Sequence, residues 1–165
     1  MFKIVKLPDP KLRQRSIEVD SALLLSKETQ KMIDEMIPIM YAADGIGLAA
    51  VQVGHNIRLC TIGKLAVPEK HKLKENYPGD LVLINPVWVK SSIRKVSDLE
   101  GCLSVPKTQG KVKRYKNIQV KAQDRQGNPL VFNASDYLAR VIQHEVDHMD
   151  GILFIDKATE IKIIN

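Results

Sequence analysis

Cysteine is scarce in this sequence: the two that are present, Cys60 and Cys102, are too few for a disulfide framework. We expect each to be a thiol in a reducing compartment, either buried or bound to a metal. Cys60 lies in an apolar stretch that alternates like a strand, which favours a small core residue. Cys102 follows Gly101 in the segment DLEGCLSVP. Taken alone it also favours a core thiol, although a ligand role stays open.

Long apolar runs are also missing, which excludes several classes of protein. No stretch approaches the ~20 apolar residues that a membrane-spanning helix needs, so we expect no membrane partner. The opening MFKIVKLPDP has an apolar run too short for a signal peptide, and a proline ends it. We therefore expect a soluble protein in the cytoplasm, or in an organelle if a transit peptide has been removed.

The chain has no long block of like charge, although its net charge is +6 and its isoelectric point is about 9.3. A basic surface can attract nucleic acid, a ribosome or an anionic membrane. A dedicated nucleic-acid arm would show a run of like charges, and none is present. We favour a lysine-rich solvated surface and expect no specific nucleic-acid partner, while the ribosome stays open as a partner.

No internal repeat, low-complexity segment or interdomain linker is visible, and 165 residues suit one domain with one core. We therefore predict a single domain over residues 1–165. Hydrophobic residues make up 44% of the chain and charged residues 27%, a balance that is typical of globular proteins and argues against disorder.

Helical spacing predicts an N-terminal helix over about residues 20–45. Its apolar stripe consists of Leu25, Met32, Met36 and Met40. Gly45 is expected to end the helix. Pro38 lies inside the pattern and is expected to kink or interrupt the last turns, without an evident functional role.

Strand patterns fill the middle of the chain. Buried strands are predicted at 57–63 and 81–89, where Pro86 indicates an edge or a bulge, and the polar segment 67–80 between them reads as a loop. Residues 117–134 alternate on both sides of the turn sequence DRQGNP, which predicts a hairpin.

A second helix is predicted from about Ser135 to Met149, with Asn133 or Ser135 as its cap and Gly151 at its end. The order is therefore helix, several strands, then helix. We predict an α+β fold in which antiparallel β-sheets wrap around a central C-terminal helix, with an N-terminal helix alongside.

The C-terminal helix carries the sequence QHEVDHMDG, in which His144 and His148 are four residues apart and share one face. Two imidazoles placed in this way can bind one metal ion, and a glutamate beside the first can serve a metal-bound water. On a helical wheel Glu145 falls within the apolar arc, where a carboxylate needs a partner. Asp147 and Arg140 fall on the opposite side, which we interpret as polar.

A catalytic metal site normally needs a third protein ligand and an open position. The pair of histidines by itself can also be accidental, so HExxH alone suggests a metal hydrolase without securing it. The other histidines are His71, in a lysine-rich segment that we expect to be solvated, and His55, which follows Gly54 in a predicted turn. Considered together with the helix, Cys102 is the favoured third ligand.

Three segments coincide with the motifs of a known family. They are GIGLAAVQ (45–52), EGCLS (100–104) and QHEVDH (143–148), in the family's order and close to its spacing. The segments LPDPKLR and LVLINP also match. Over about residues 3–157 the chain resembles the bacterial-type peptide deformylases, which hydrolyse the formyl group from the N-terminal formylmethionine of nascent polypeptides and release formate.

The resemblance implies a role for each matching residue. Cys102, His144 and His148 would hold one divalent metal ion, usually Fe²⁺ in this family, although Zn²⁺, Ni²⁺ or Co²⁺ also suits these ligands. Glu145 would be the general acid and base. The Gln52 amide and the Leu103 N–H would form an oxyanion hole, and Gly47 would lie along the substrate. Glu100 would pair with Arg114 and brace the cysteine loop.

The substrate's methionine side chain needs an apolar pocket beside the metal. Val141 shares the histidine face of the helix, Tyr137 lies one turn earlier, and Ile46 comes from the glycine segment, so we predict these three as its wall. Gln109 stands where many members have an arginine, which leaves the peptide preference open. The tail after Phe154 is short, so docking through a longer C-terminal helix cannot be carried over.

Two other functions are compatible with the same residues. One is a different metallohydrolase, such as a zinc peptidase, that uses the same helix. The other is a structural metal site on a basic protein that binds RNA or the ribosome. Internal amide cleavage would favour the first, and function that survives loss of the Glu145 carboxylate would favour the second.

Overall fold

Two antiparallel sheets make up the β-structure of the computed structural model, which describes residues 2–67 and 79–164. The larger sheet has the strand order β1-β2-β3-β6-β7. Its strands are β1 Gly47–Ala49, β2 Leu59–Ile62, β3 Leu81–Lys90, β6 Asn117–Gln123 and β7 Pro129–Ser135. The smaller sheet has the order β4-β5-β8. Its strands are β4 Lys95–Cys102, β5 Val105–Tyr115 and β8 Thr159–Ile163.

The helices lie against both faces of the larger sheet. They are α1 Ser21–Leu24, α2 Lys27–Ala42 and α3 Asp136–Met149. In β3, Leu81 and Leu83 pack with the side chains of α3, while Val82 and Ile84 pack with those of α2. Because helices cover both faces of β3, neither face is exposed to solvent, and this explains why its apolar residues form a continuous run.

Helix α3 is central, as the sequence predicts. Eleven of its fourteen residues are buried, and it contacts strands of both sheets. Ser135 occupies the N-cap position, and Gly151 follows the helix with a left-handed φ of 73°. The prediction of antiparallel sheets around a central C-terminal helix is confirmed.

The N-terminal helix differs from its prediction. Instead of one helix over about 20–45, α1 ends at Leu24 and α2 begins at Lys27, with Ser26 accepting a hydrogen bond from the Thr29 N–H at 3.2 Å. An N-cap of this kind starts a new helix. Leu25 lies in the break and is 61% exposed, so it does not belong to the buried stripe of methionines.

Pro38 does not interrupt α2, which continues to Ala42. No helix in the described ranges is long and apolar enough to cross a membrane.

Several local predictions agree with the strands. The register of β3 against β6 shifts between Ile84 and Val87, which is the bulge that Pro86 indicated. The hairpin over 117–134 forms as β6 and β7. Most of the predicted polar loop at 67–80, including His71, lies outside the described residues. Strand β8, in the C-terminal tail, was not predicted.

The N-terminal segment packs against the C-terminal end of α3. The Ser16 N–H donates to the Met149 carbonyl oxygen at 2.7 Å. A Cβ added at Gly151 would lie 2.6 Å from the Arg13 carbonyl oxygen, on a backbone that favours glycine. We expect Gly151→Ala to lower the free energy of unfolding by roughly 2–5 kcal/mol, since strain and overlap add.

Urea denaturation at equal metal content measures this loss. Gly79→Ala is the matched control, because a Cβ there meets nothing within 4 Å, and it should change stability by less than about 0.5 kcal/mol. Equal losses in both variants would contradict the role assigned to the Gly151 contact.

Candidate metal centre and active site

Three potential metal ligands converge from two distant parts of the chain. Cys102 ends β4, and His144 and His148 lie on α3. Their ligand atoms all lie within 4.8 Å of one another, and the Cys102 Sγ is 3.2 Å from the His148 Nε2. Tetrahedral metal bonds to sulfur and nitrogen place such atoms roughly 3.5 Å apart. The predicted Cys-His-His set is therefore assembled in the structure.

Glu100 orients the first histidine. Its Oε2 lies 2.9 Å from the His144 Nδ1, which leaves the Nε2 of that ring for a metal. Arg114 donates to both Glu100 oxygens, at 2.6 and 2.8 Å. Arg140 donates to Oε1 at 2.6 Å. Burial raises the pKa of Glu100, but the hydrogen bonds from His144 and Arg114 outweigh it and hold the pKa at about 2.

The interpretation of Arg140 and Asp147 as a polar outer face is wrong. Both are buried, Arg140 at 7% and Asp147 at 6% exposure. Asp147 accepts a hydrogen bond from Arg114 at 2.8 Å and from Lys157 at 2.7 Å. The smaller sheet covers this side of the helix, so these charges are neutralised by partners and not by water. The pairing of Glu100 with Arg114 that the family resemblance implied is present, and Arg114 lies on the same buried face of β5 as Val112.

Glu145 lies on the apolar side of the helix, as predicted, and is 3% exposed. Burial raises its pKa to about 7, although the neighbouring His144 and Arg114 charges oppose the shift. Gly47 of β1 packs directly on this side chain: a Cβ there would be 2.8 Å from the Glu145 Cδ. Only glycine leaves room for the carboxylate. A carboxyl group with a pKa near neutrality can both take up and release a proton.

The Gln52 amide is held in one orientation beside Cys102. Its Oε1 accepts a hydrogen bond from the Ala49 N–H at 2.8 Å, so the NH₂ group must point the other way. That group donates to the Ser104 Oγ at 3.1 Å and faces the Cys102 Sγ at 3.6 Å. A neutral donor therefore lies next to the cysteine. Ser104, fully buried, was not identified from the sequence.

One buried polar atom of the site indicates that a bound group completes it. In the described residues, the Glu145 Oε2 has no hydrogen-bond partner, an arrangement that is costly unless something else satisfies it. Burial lowers the pKa of His148 well below its usual value, which favours the neutral imidazole that binds a metal. The donor set of one thiolate and two imidazoles fits Fe²⁺ or Zn²⁺.

A cavity of about 720 Å³ opens beside these residues. Its walls include the residues predicted for the substrate pocket and the oxyanion hole, namely Ile46, Gly47, Gln52, Leu103, Tyr137 and Val141. Tyr137 is 49% exposed, so it forms an outer part of the wall. Ile4, Leu99 and Ile164 also line the cavity. They were missed because the N-terminal segment, the edge of β4 and the tail join the site only through tertiary contacts.

The other candidate ligands lie apart from the centre. His55 is exposed and meets the Phe2 ring edge-on, with the ring centroids 4.9 Å apart. Cys60 is 1% exposed in the core, as predicted. Both cysteines are free thiols.

Comparison with known proteins identifies the family. The family model described as "Polypeptide deformylase" matches residues 1–163. The curated peptide deformylase of Pelotomaculum thermopropionicum is 43% identical over 162 residues, which is 98% of this chain and 94% of that relative.

Two solved structures have the same fold. Peptide deformylase from Thermotoga maritima superposes with a TM-score of 0.82 at 34% identity, covering 96% of this chain and 98% of that one. The Synechococcus elongatus enzyme, in complex with actinonin, gives a TM-score of 0.82 at 37% identity, covering 96% and 81%. With a match that runs through every segment of the centre described above, this chain belongs to the polypeptide deformylase family.

Proposed function

We propose that the centre formed by Cys102, His144 and His148 is where this chain carries out its family's reaction. The family's members are metal-dependent hydrolases that act on formylmethionyl peptides, and this chain is one of them. The single observation that supports placing the reaction here is the convergence of the three ligands at a cavity whose wall includes Cys102, His144 and Glu145.

The reaction adds water across a formamide bond. The oxygen of water bonds to the formyl carbon, the carbon–nitrogen bond breaks, and formate and a free amino terminus result. A divalent metal held by the three ligands would lower the pKa of a bound water to about 7 and polarise the formyl group. Glu145 would take a proton from the water and deliver it to the leaving nitrogen, a task that its pKa of about 7 suits.

Negative charge develops on the formyl oxygen during the reaction, and fixed donors must meet it. We assign this role to the Gln52 NH₂ group and the Leu103 N–H. The amide orientation imposed by Ala49 supports the assignment, because it prepares the donor before substrate arrives. Loss of one such donor typically costs ~10²–10³ in rate.

The substrate backbone would run between two strand edges. β1 is the outer strand of the larger sheet and β4 is the outer strand of the smaller one, and both line the cavity. An extended peptide can bond to an exposed strand edge, so Gly47 would lie along it. Ile46, Tyr137 and Val141 would contact the methionine side chain, which is apolar and flexible.

We propose Fe²⁺ as the resident metal, with Zn²⁺, Ni²⁺ or Co²⁺ able to occupy the same donors. The protein would act on nascent chains in the cytoplasm, or inside an organelle if a transit peptide has been removed, and the ribosome is a further proposed partner. The test is anaerobic purification, elemental analysis and a formate-release assay on a formylmethionyl peptide. Cleavage of internal amides without formate release would indicate a peptidase instead.

We expect Glu145→Gln to lower kcat by ~10²–10⁴ while metal content stays unchanged, because the amide cannot transfer the proton and the ligands are intact. The measurement pairs formate release with elemental analysis. The control is Glu28→Gln, an exposed glutamate in the first turn of α2, which should retain full activity. Full turnover by Glu145→Gln would contradict the assigned role.

We expect Gly47→Ala to lower kcat by about 10²-fold, since the new methyl group must displace the Glu145 carboxylate and a shift of about 1 Å is enough for such a loss. The readout is kcat at saturating peptide, with the thermal transition as a check on folding. An unchanged kcat with only a raised KM would show that Gly47 contacts substrate without positioning Glu145.

We expect Glu100→Gln to weaken metal binding by 10–100-fold, the usual cost of removing a partner that orients a ligand histidine. Competition with a chelator measures the affinity. Glu160→Gln, which removes an exposed partner of Lys111, is the control and should bind metal normally. Equal affinities in the two variants would rule out the orienting role of Glu100.

A further inference from the structure

Two lysines line the catalytic cavity without serving the reaction. Lys6 comes from the N-terminal segment and Lys107 from β5, and both are exposed. Other lysines of this region are paired: Lys111 with Glu160 at 2.9 Å and Lys157 with Asp147 at 2.7 Å. Within residues 2–67 and 79–164, Lys6 and Lys107 have no carboxylate within ion-pair distance. They are therefore available to a ligand in the cavity.

The backbone of each lysine is fixed to the site. On one side of Lys6, the Val5 N–H donates to the Gln52 carbonyl oxygen at 2.7 Å. On the other side, the Leu7 N–H donates to the Ser104 carbonyl oxygen at 2.9 Å. The segment that carries Lys6 is thus bonded to Gln52, a member of the proposed oxyanion hole, and to Ser104, the neighbour of the other member, Leu103.

Lys107 has an unusual backbone conformation. Its φ is 55°, in the left-handed region that residues other than glycine rarely adopt. Its carbonyl oxygen accepts a hydrogen bond from the Ile164 N–H at 2.8 Å, so the C-terminal tail holds this conformation. A strained residue that is kept in place at the edge of a site suggests a functional reason.

The other charges of the cavity do not neutralise these ammonium groups. Glu100 is already paired with Arg114 and Arg140, and Glu145 is buried at the metal centre. Asp44 is the exposed carboxylate among the described lining residues. Two exposed cations against one exposed anion leave the mouth of the cavity positive.

We propose that Lys6 and Lys107 form a cationic rim that selects substrates with an acidic side chain shortly after the formylmethionine. This inference rests on the proposed function, because it concerns the part of the peptide that leaves the cavity. A chain still under synthesis has its C-terminus far away, so an aspartate or glutamate side chain is the carboxylate that can reach the rim.

The experiment compares kcat/KM for formate release from four peptides with amidated C-termini. With formylmethionine counted as residue 1, one peptide carries glutamate at residue 2 and another carries it at residue 3. The other two peptides carry glutamine at the same positions. Exposed ion pairs correspond to about 1.5- to 5-fold each, so we expect a glutamate preference of roughly 3- to 10-fold at one of the two positions. The preference should shrink in high salt.

The variant Lys6→Gln/Lys107→Gln should lose this preference. Lys3→Gln/Lys113→Gln is the matched control: it removes the same charge from the same two segments, and neither residue lines the cavity. It should keep the preference, which separates contact with the rim from attraction by the net charge of +6.

Loss of the glutamate preference in the rim variant alone supports the proposal. Equal rates on glutamate and glutamine peptides in the unmodified protein, or equal losses in both variants, would overturn the rim while leaving the deformylase reaction intact. No formate from any of the four peptides would overturn the proposed function and the rim with it.

Discussion

The carboxylate of Glu100 is the junction on which the proposed metal centre depends. It is 8% exposed and has hydrogen-bond contacts with His144, Arg114 and Arg140. These partners belong to α3 and β5, while Glu100 itself lies on β4 two residues before Cys102. One acidic side chain thus joins the strand that carries Cys102 to the helix that carries His144 and His148. Breaking a buried group of charges by removing one partner is typically costly, about 3–5 kcal/mol, because the others stay buried and unpaired.

The burial of α3 explains why such a junction is required. Most globular helices keep one face in water, where charged residues need no partner. Here the larger sheet covers one side of α3 and the smaller sheet covers the other, so every charged residue of its middle turns must be satisfied inside the protein. Arg140 and Asp147 meet this condition through Glu100 and Arg114. Glu145 does not have such a partner, and its raised pKa is the consequence.

Some of the site could be predicted from local spacing. His144, Glu145 and His148 belong to one helical segment, and a period of 3.6 residues determines which of them share a face. The position of Glu145 on the apolar side followed from the same period, and the bulge in β3 followed from Pro86, which cannot donate to a ladder. Cys102 was different: by itself it favoured a core thiol, and only the family resemblance and the need for a third ligand identified it.

Local patterns were insufficient where distant segments meet. The helical wheel correctly placed Arg140 and Asp147 on the side of α3 opposite Glu145. It could not show that the smaller sheet covers that side of the helix. Ile4 and Ile164, at opposite ends of the chain, line one cavity because their segments bond to Gln52, Ser104 and Lys107. The amino-acid order alone therefore settled the helix with its two histidines, the alternating strands and the turns between them, since these depend on neighbours a few residues away. Which charges are buried, which sulfur meets the histidines and which walls enclose the substrate depend on contacts between residues far apart in the chain, and only the folded arrangement of the two sheets around α3 determines them.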